Sequence, residues 1–174
     1  WSLFDPEHEV TLNISVMDSG SIRLNAVLHN RSSRPWTAAL HWPRIRGCHI
    51  SNRSDDSWYL LGTGNSVLNH LPISIQKEHG THWPLPLFDL FAEQAGGGLG
   101  LFVDAMDVLP KTLEFTQTDT GSDIAIQFHD LFVPPHKNFV LPPIVLMPHL
   151  GDWHDLFNTY RSRVHARTPS NPRK

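Results

Sequence analysis

Cysteine is almost missing. Cys48 is the single one, which excludes an internal disulfide and any cysteine-built zinc site. No apolar run approaches the roughly 20 residues that a membrane-crossing helix requires, so a membrane partner is not expected. Charge is scarce too: 18% of residues are charged, and 14 Lys plus Arg against 17 Asp plus Glu give a formal charge of -3. Without a basic cluster before its last few residues, the chain lacks the surface that neutralises phosphate backbones, and nucleic acid is excluded as a partner. Helical periodicity is absent before residue 150. Walker loops, dinucleotide fingerprints, paired-histidine helices and nucleophile elbows are absent as well, so neither a cofactor nor a metal is expected.

What is present is globular. The 174 residues are 40% hydrophobic and include 14 prolines, 11 glycines, six tryptophans and 12 histidines. At this length a folded chain buries about 70% of its unfolded surface, enough for one core without cross-links. Val10, Leu12, Ile14 and Val16 alternate, then Met17-Asp18-Ser19-Gly20 turns the chain, and Ile22, Leu24, Ala26 and Leu28 alternate again. Period two around a Gly-containing turn predicts an antiparallel hairpin. A third strand is expected from Trp36 to Trp42, ending at Pro43. Trp58 to Leu61 is a short apolar run between loops, and residues 71 to 86, broken by prolines 72, 84 and 86, read as loop or edge strand. Phe88 to Phe91 and Leu99 to Val103 predict two strands meeting at a Gly96-Gly97-Gly98 turn. Residues 112 to 119 and 123 to 128 predict a second hairpin around Thr120-Gly121. A last strand near Phe139 to Met147 carries Pro142-Pro143, tolerable at an edge or bulge.

About ten strands and frequent turns predict an all-β fold: a two-sheet antiparallel β-sandwich over 1–150. Only the end changes period. Trp153, Leu156, Phe157, Tyr160 and Val164 form one helical stripe, so a single C-terminal α-helix over 151–167 is expected, capped by Asp152 with Asp155 in its first turn. Residues 168–174 read as a polar linker. The opening at Trp1, without methionine or leader pattern, predicts processing or truncation. Three sequons, at Asn13, Asn30 and Asn52, point to export, secreted or periplasmic.

Candidate chemistry is sparse. Gly96 to Gly100 is glycine-rich but opens no helix, so a turn is preferred to a phosphate cradle. His149, Asp152 and His154 cluster near the helix start, where capping explains Asp152 without a metal. Asp89, Asp104 and Asp107 stand in or at the ends of apolar runs, where an unpaired charge is expensive. They read as turn-bonding aspartates or as contacts to sugar hydroxyls; opposed catalytic acids would need a separation of roughly 5 to 9.5 Å. Trp36, Trp42, Trp58 and Trp83 suit core packing or stacking on pyranose rings. The carbohydrate-binding candidates are Trp83, Asp89, Asp104 and Asp107, and no catalytic residue is assigned.

The run Leu141-Pro142-Pro143 to His149-Leu150-Gly151-Asp152-Trp153-His154, followed by Tyr160-Arg161, resembles the last strand and exit helix of a known domain. That domain is the N-terminal galactose-mutarotase-like supersandwich found before the (β/α)8 barrel of α-galactosidase-like and related glycoside hydrolases. Gly96 through Asp107 resembles the segment of that sandwich ending in a His-Asp pair. The sequence departs from the pattern at Leu150, where proline is usual, at Arg163, where tryptophan is frequent, and at Met106, where the histidine often stands. The resemblance implies a noncatalytic sandwich that shapes a substrate rim and supports a barrel, with carbohydrate and that barrel as partners. A freestanding carbohydrate-binding module and a mutarotase-like epimerase, using histidine and carboxylate as acid and base, are the alternatives.

Overall fold

The computed structural model describes residues 6–53, 56–63, 66–80, 84–105 and 109–167. Where hydrophobicity alternates, strands form. β1 (His8–Val16) and β2 (Ile22–Asn30) make the first hairpin, with Val10 opposite Leu28 and Leu12 opposite Ala26. Gly20 closes the turn at a φ of 79° that a side chain would resist, and its N–H donates to the Met17 carbonyl. β9 (Lys111–Thr118) and β10 (Gly121–Val133) make the second, placing Ile124 against Phe115 and Ile126 against Leu113.

Five strands complete the middle of the chain: β3 (Trp36–Cys48), β4 (Trp58–Leu61), β5 (Val67–Asn69), β6 (Ile73–Glu78) and β7 (Leu87–Ala92). β8 (Gly97–Val103), β11 (Asn138–Val140), β12 (Ile144–Leu150) and α1 (Trp153–Arg167) account for the remaining elements. The strands lie in two antiparallel sheets, as expected of a sandwich. One has eight strands in the order β1-β2-β12-β8-β7-β4-β5, with β11 also on β2; the other is β3-β10-β9-β6. Residues from the 71 to 86 stretch supply β6, an edge strand.

Three expectations need correction. β3 runs through Pro43 to Cys48, because Pro43 falls at a register shift between Ala125 and Gln127 of β10, where the ladder asks nothing of its missing N–H. The last strand splits, with Pro142-Pro143 outside both β11 and β12. The glycine run is mostly strand: the turn occupies residues 93–96, and β8 begins at Gly97.

Between the sheets lies the main core. Leu28, Leu61, Phe88 and Leu101 from the large sheet meet Leu113, Phe115, Ile126 and Phe128 from the small one. The Phe115 ring sits 4.9 Å from that of Tyr59 and 6.2 Å from that of Phe88. The large sheet is covered on its other face as well. There Leu60, Leu87, Phe102 and Val145 form a second cluster with Leu156 of α1, edged by Trp153, Phe157 and Tyr160. Burial on both faces explains why β7 is apolar at every position except Asp89. The helix therefore seats its stripe on this sandwich. At its start Asp152 accepts from the His154 backbone N–H at 3.0 Å, the expected cap. Among the described residues, no helix is long and apolar enough to cross a membrane.

The sequons separate by structure. Asn30 is buried and its Nδ2 donates to the carbonyls of Arg34, Val133 and Pro134 at 2.7, 3.0 and 3.2 Å, so it is a joint of the fold. Asn13 and Asn52 are exposed.

Candidate functional site

Trp83 and Asp107 lie outside the described residues. Asp89 and Asp104 are both buried, and each is held by a partner that reading the sequence did not assign to it. The strands β7 and β12 are separated by β8, so side chains on the outer strands start about 10 Å apart. Yet Nε2 of His149, on β12, donates to Oδ1 of Asp89, on β7, at 2.9 Å. The glycines of β8 make this possible. Gly98 opposes His149 and Gly100 opposes Asp89. A Cβ on Gly98 would fall 2.5 Å from Cε1 of His149, and one on Gly100 would fall 2.3 Å from Cδ1 of Leu156. The bare strand is thus a trough on the outer face of the sheet, filled at one point by an imidazole and at the next by the helix's buried leucine.

The pair is shut away from solvent. The His149 and Asp89 side chains are 3% and 0% exposed, and among the described residues neither Oδ2 of Asp89 nor Nδ1 of His149 finds a partner at hydrogen-bond geometry. Burial pushes the Asp89 carboxyl above the usual carboxylate range, an effect that the hydrogen bond and charge of His149 only partly offset. For His149, burial acts downward, but the hydrogen bond and charge of Asp89, with the Leu150 backbone and Asp155, outweigh it and hold the imidazole above its ordinary 6.5. Both shifts mean that the folded chain keeps a proton that the unfolded chain would release. For His149 the stabilisation is therefore fully present below the ordinary pKa of imidazole and is lost as pH rises through its folded value. Urea midpoints measured from pH 5 to pH 9 should fall toward the alkaline end, and His149→Gln should flatten that slope. A slope unchanged in the variant would sink the assignment.

Asp104 follows directly after β8 and has a 2% exposed side chain. Two turns of α1 reach it: Nη1 of Arg163 at 3.0 Å and Nη2 of Arg167 at 2.8 Å, while Nη1 of Arg167 donates to the Asp104 carbonyl at 2.7 Å. The Arg163 guanidinium also lies 5.5 Å from the centroid of the Phe102 ring. Arg163 thus has a defined job: it clamps the helix to the sheet. Arg163→Ala alone should cost about 1 kcal/mol, because Arg167 remains, whereas the double alanine variant should cost about 3 kcal/mol by stranding a buried carboxylate. Thermal melts check this, and two additive single effects would contradict a shared clamp.

Among the described residues, Asp89 and Asp104 are not gathered into an opposed pair. Asp89 faces His149, and Asp104 faces the arginines. Nor do His149, Asp152 and His154 converge, since His149 turns inward while Nδ1 of His154 bonds Asp152 at 2.8 Å on the surface. Trp36 and Trp42 are half-buried against the core, and Trp58 is stacked on His70 with ring centroids 4.6 Å apart.

With the geometry in hand, comparison with solved structures decides the fold. A Klebsiella pneumoniae protein described as a "putative aldose 1-epimerase" superposes with a TM-score of 0.62 at 11% identity, over 97% of this chain and 54% of that one. The chain has a galactose-mutarotase-like fold. The galactosidase domain of AgaSK, an alpha-galactosidase-sucrose kinase, matches with a TM-score of 0.52 at 12% identity, over 86% of this chain and 23% of that one. This mutarotase-like sandwich spans about half the length of the first neighbour and under a quarter of the second. No family model and no curated protein sequence matches it.

Proposed function

We propose that the chain is a noncatalytic N-terminal sandwich domain of a carbohydrate-active glycoside hydrolase. Its loops border the substrate, and its body supports a (β/α)8 barrel. The observation that carries this reading is the consumption of the acids: Asp89 and Asp104, flagged because burying them is costly, are spent on holding strands and helix together. A carboxylate sealed behind an imidazole or between two guanidinium groups serves architecture rather than proton transfer to a sugar. The likeness to a galactosidase domain supports a carbohydrate setting at the level of fold. Export, to the periplasm or outside the cell, belongs to the same proposal, as do carbohydrate and barrel as partners.

Assayed alone against aryl α-galactosides, the chain should show no turnover. Hydrolysis abolished by one Asp→Asn change would overturn the reading. A mutarotase-like activity has one observation in its favour, an imidazole paired with a carboxylate in this fold. The 3% and 0% exposure of that pair leaves a sugar no approach. Polarimetry on fresh α-galactose decides between the two: acceleration that disappears in His149→Gln would establish the epimerase.

A further inference from the structure

A cavity of about 380 Å³ opens at one end of the small sheet. Three strands build it. Glu78 ends β6, with His79 just beyond; Lys111 and Thr112 begin β9; His129 and Asp130 come from β10. The last two stand where β10 is irregular. Against β3 its register steps from Phe128–Leu40 to Leu131–Ala38, which puts one extra residue on β10. A bulge of this kind re-aims side chains, here toward the cavity, and Asp130 within it adopts the left-handed φ of 52°. Oγ1 of Thr112 and Nε2 of His129 lie 2.6 Å apart, which fixes the imidazole against the wall. Below them Lys111 is 2% exposed, its Nζ donating to the Leu109 carbonyl at 2.8 Å.

The chemistry of this wall narrows what it can hold. An anion would face the Glu78 and Asp130 carboxylates, and a cation would share the wall with Lys111. Among the described residues, no group of three His, Cys, Asp or Glu side chains could hold a metal ion. A hydroxyl both donates and accepts, so it suits imidazole, hydroxyl and carboxylate neighbours together. The volume falls within the range of small-molecule sites. We propose that this cavity is a saccharide subsite that takes one neutral sugar ring by its hydroxyl edge, with Glu78, His129 and Asp130 as the contacts. The proposal rests on the carbohydrate-active reading above and gives it an address.

The test is a titration of the whole chain with galactose, glucose and lactose, followed by amide chemical shifts. Galacturonate and inorganic phosphate serve as charged probes. Saturable shifts confined to residues 78–80, 111–112 and 128–131 are expected. Glu78→Gln combined with Asp130→Asn should weaken them about tenfold without moving the melting temperature, because both side chains are exposed and asparagine tolerates the left-handed backbone. Equal or tighter binding of galacturonate or phosphate would overturn the neutral-sugar assignment. Shifts only at other amides would overturn the site while leaving the carbohydrate reading intact. No shift with any sugar would overturn the site as well. The turnover and polarimetry assays judge the parent reading independently.

Discussion

Replacing His149 by alanine should cost about 3 to 5 kcal/mol of folding stability. The loss does not measure the worth of one hydrogen bond, which is closer to 1 kcal/mol. It arises because Asp89 stays behind at 0% exposure without the one side-chain partner it has among the described residues. The carboxyl must then either remain charged in an apolar wall or bind a proton, and each choice costs free energy. Removing both groups should be gentler. Asp89→Leu together with His149→Met fills the same trough without a stranded charge, so the double variant should be more stable than His149→Ala. Urea unfolding of Asp89→Leu, His149→Met and the double variant closes a cycle on the pair. A coupling near zero, or a His149→Ala loss under about 1 kcal/mol, would show that the pair is not a structural tie.

Much of this architecture can be read from residue order because its cause is local. Alternation at Val10 to Val16 and Ile22 to Leu28 is a property of the segment itself, and so is the 3.6-residue stripe from Trp153 to Val164. Asp89 and Asp104 could also be flagged locally, since a carboxylate inside an apolar run needs a reason. Their partners could not. His149 lies 60 residues from Asp89, and Arg163 lies 59 from Asp104, brought near only by the order in which β12, β8 and β7 assemble. Gly97, Gly98 and Gly100 mislead for the same reason. Glycine usually marks a turn through its backbone freedom, but here it is selected for what it leaves out. The need for bare backbone comes from the His149 carbonyl at Gly97, the imidazole at Gly98 and the Leu156 side chain at Gly100. The cavity at His129 and Asp130 was likewise hidden, because a bulge appears only once β10 is paired with β3.

The trough makes a sharp distinction between two glycines of one strand. A methyl group on Gly98 would stand 2.6 Å from the Leu90 carbonyl oxygen as well as 2.5 Å from His149. A backbone carbonyl in a central strand cannot swing aside. Gly98→Ala should therefore lift the imidazole off Asp89 and cost about 3 kcal/mol or more, and no side-chain change should rescue it. On Gly100 the obstruction is the Leu156 side chain, at 2.3 Å from Cδ1 and 2.9 Å from Cγ. There the remedy is to shorten the obstacle. Leu156→Ala alone opens a void beneath the helix and should cost about 2 to 5 kcal/mol. Gly100→Ala places a methyl in that void, so the double variant should lose less than the sum of the singles by at least about 1 kcal/mol. The cycle is read by melting temperature and urea midpoint. If Gly98→Ala were rescued by trimming His149, or if Gly100 and Leu156 proved additive, the helix would not be keyed to the sheet through the glycines of β8.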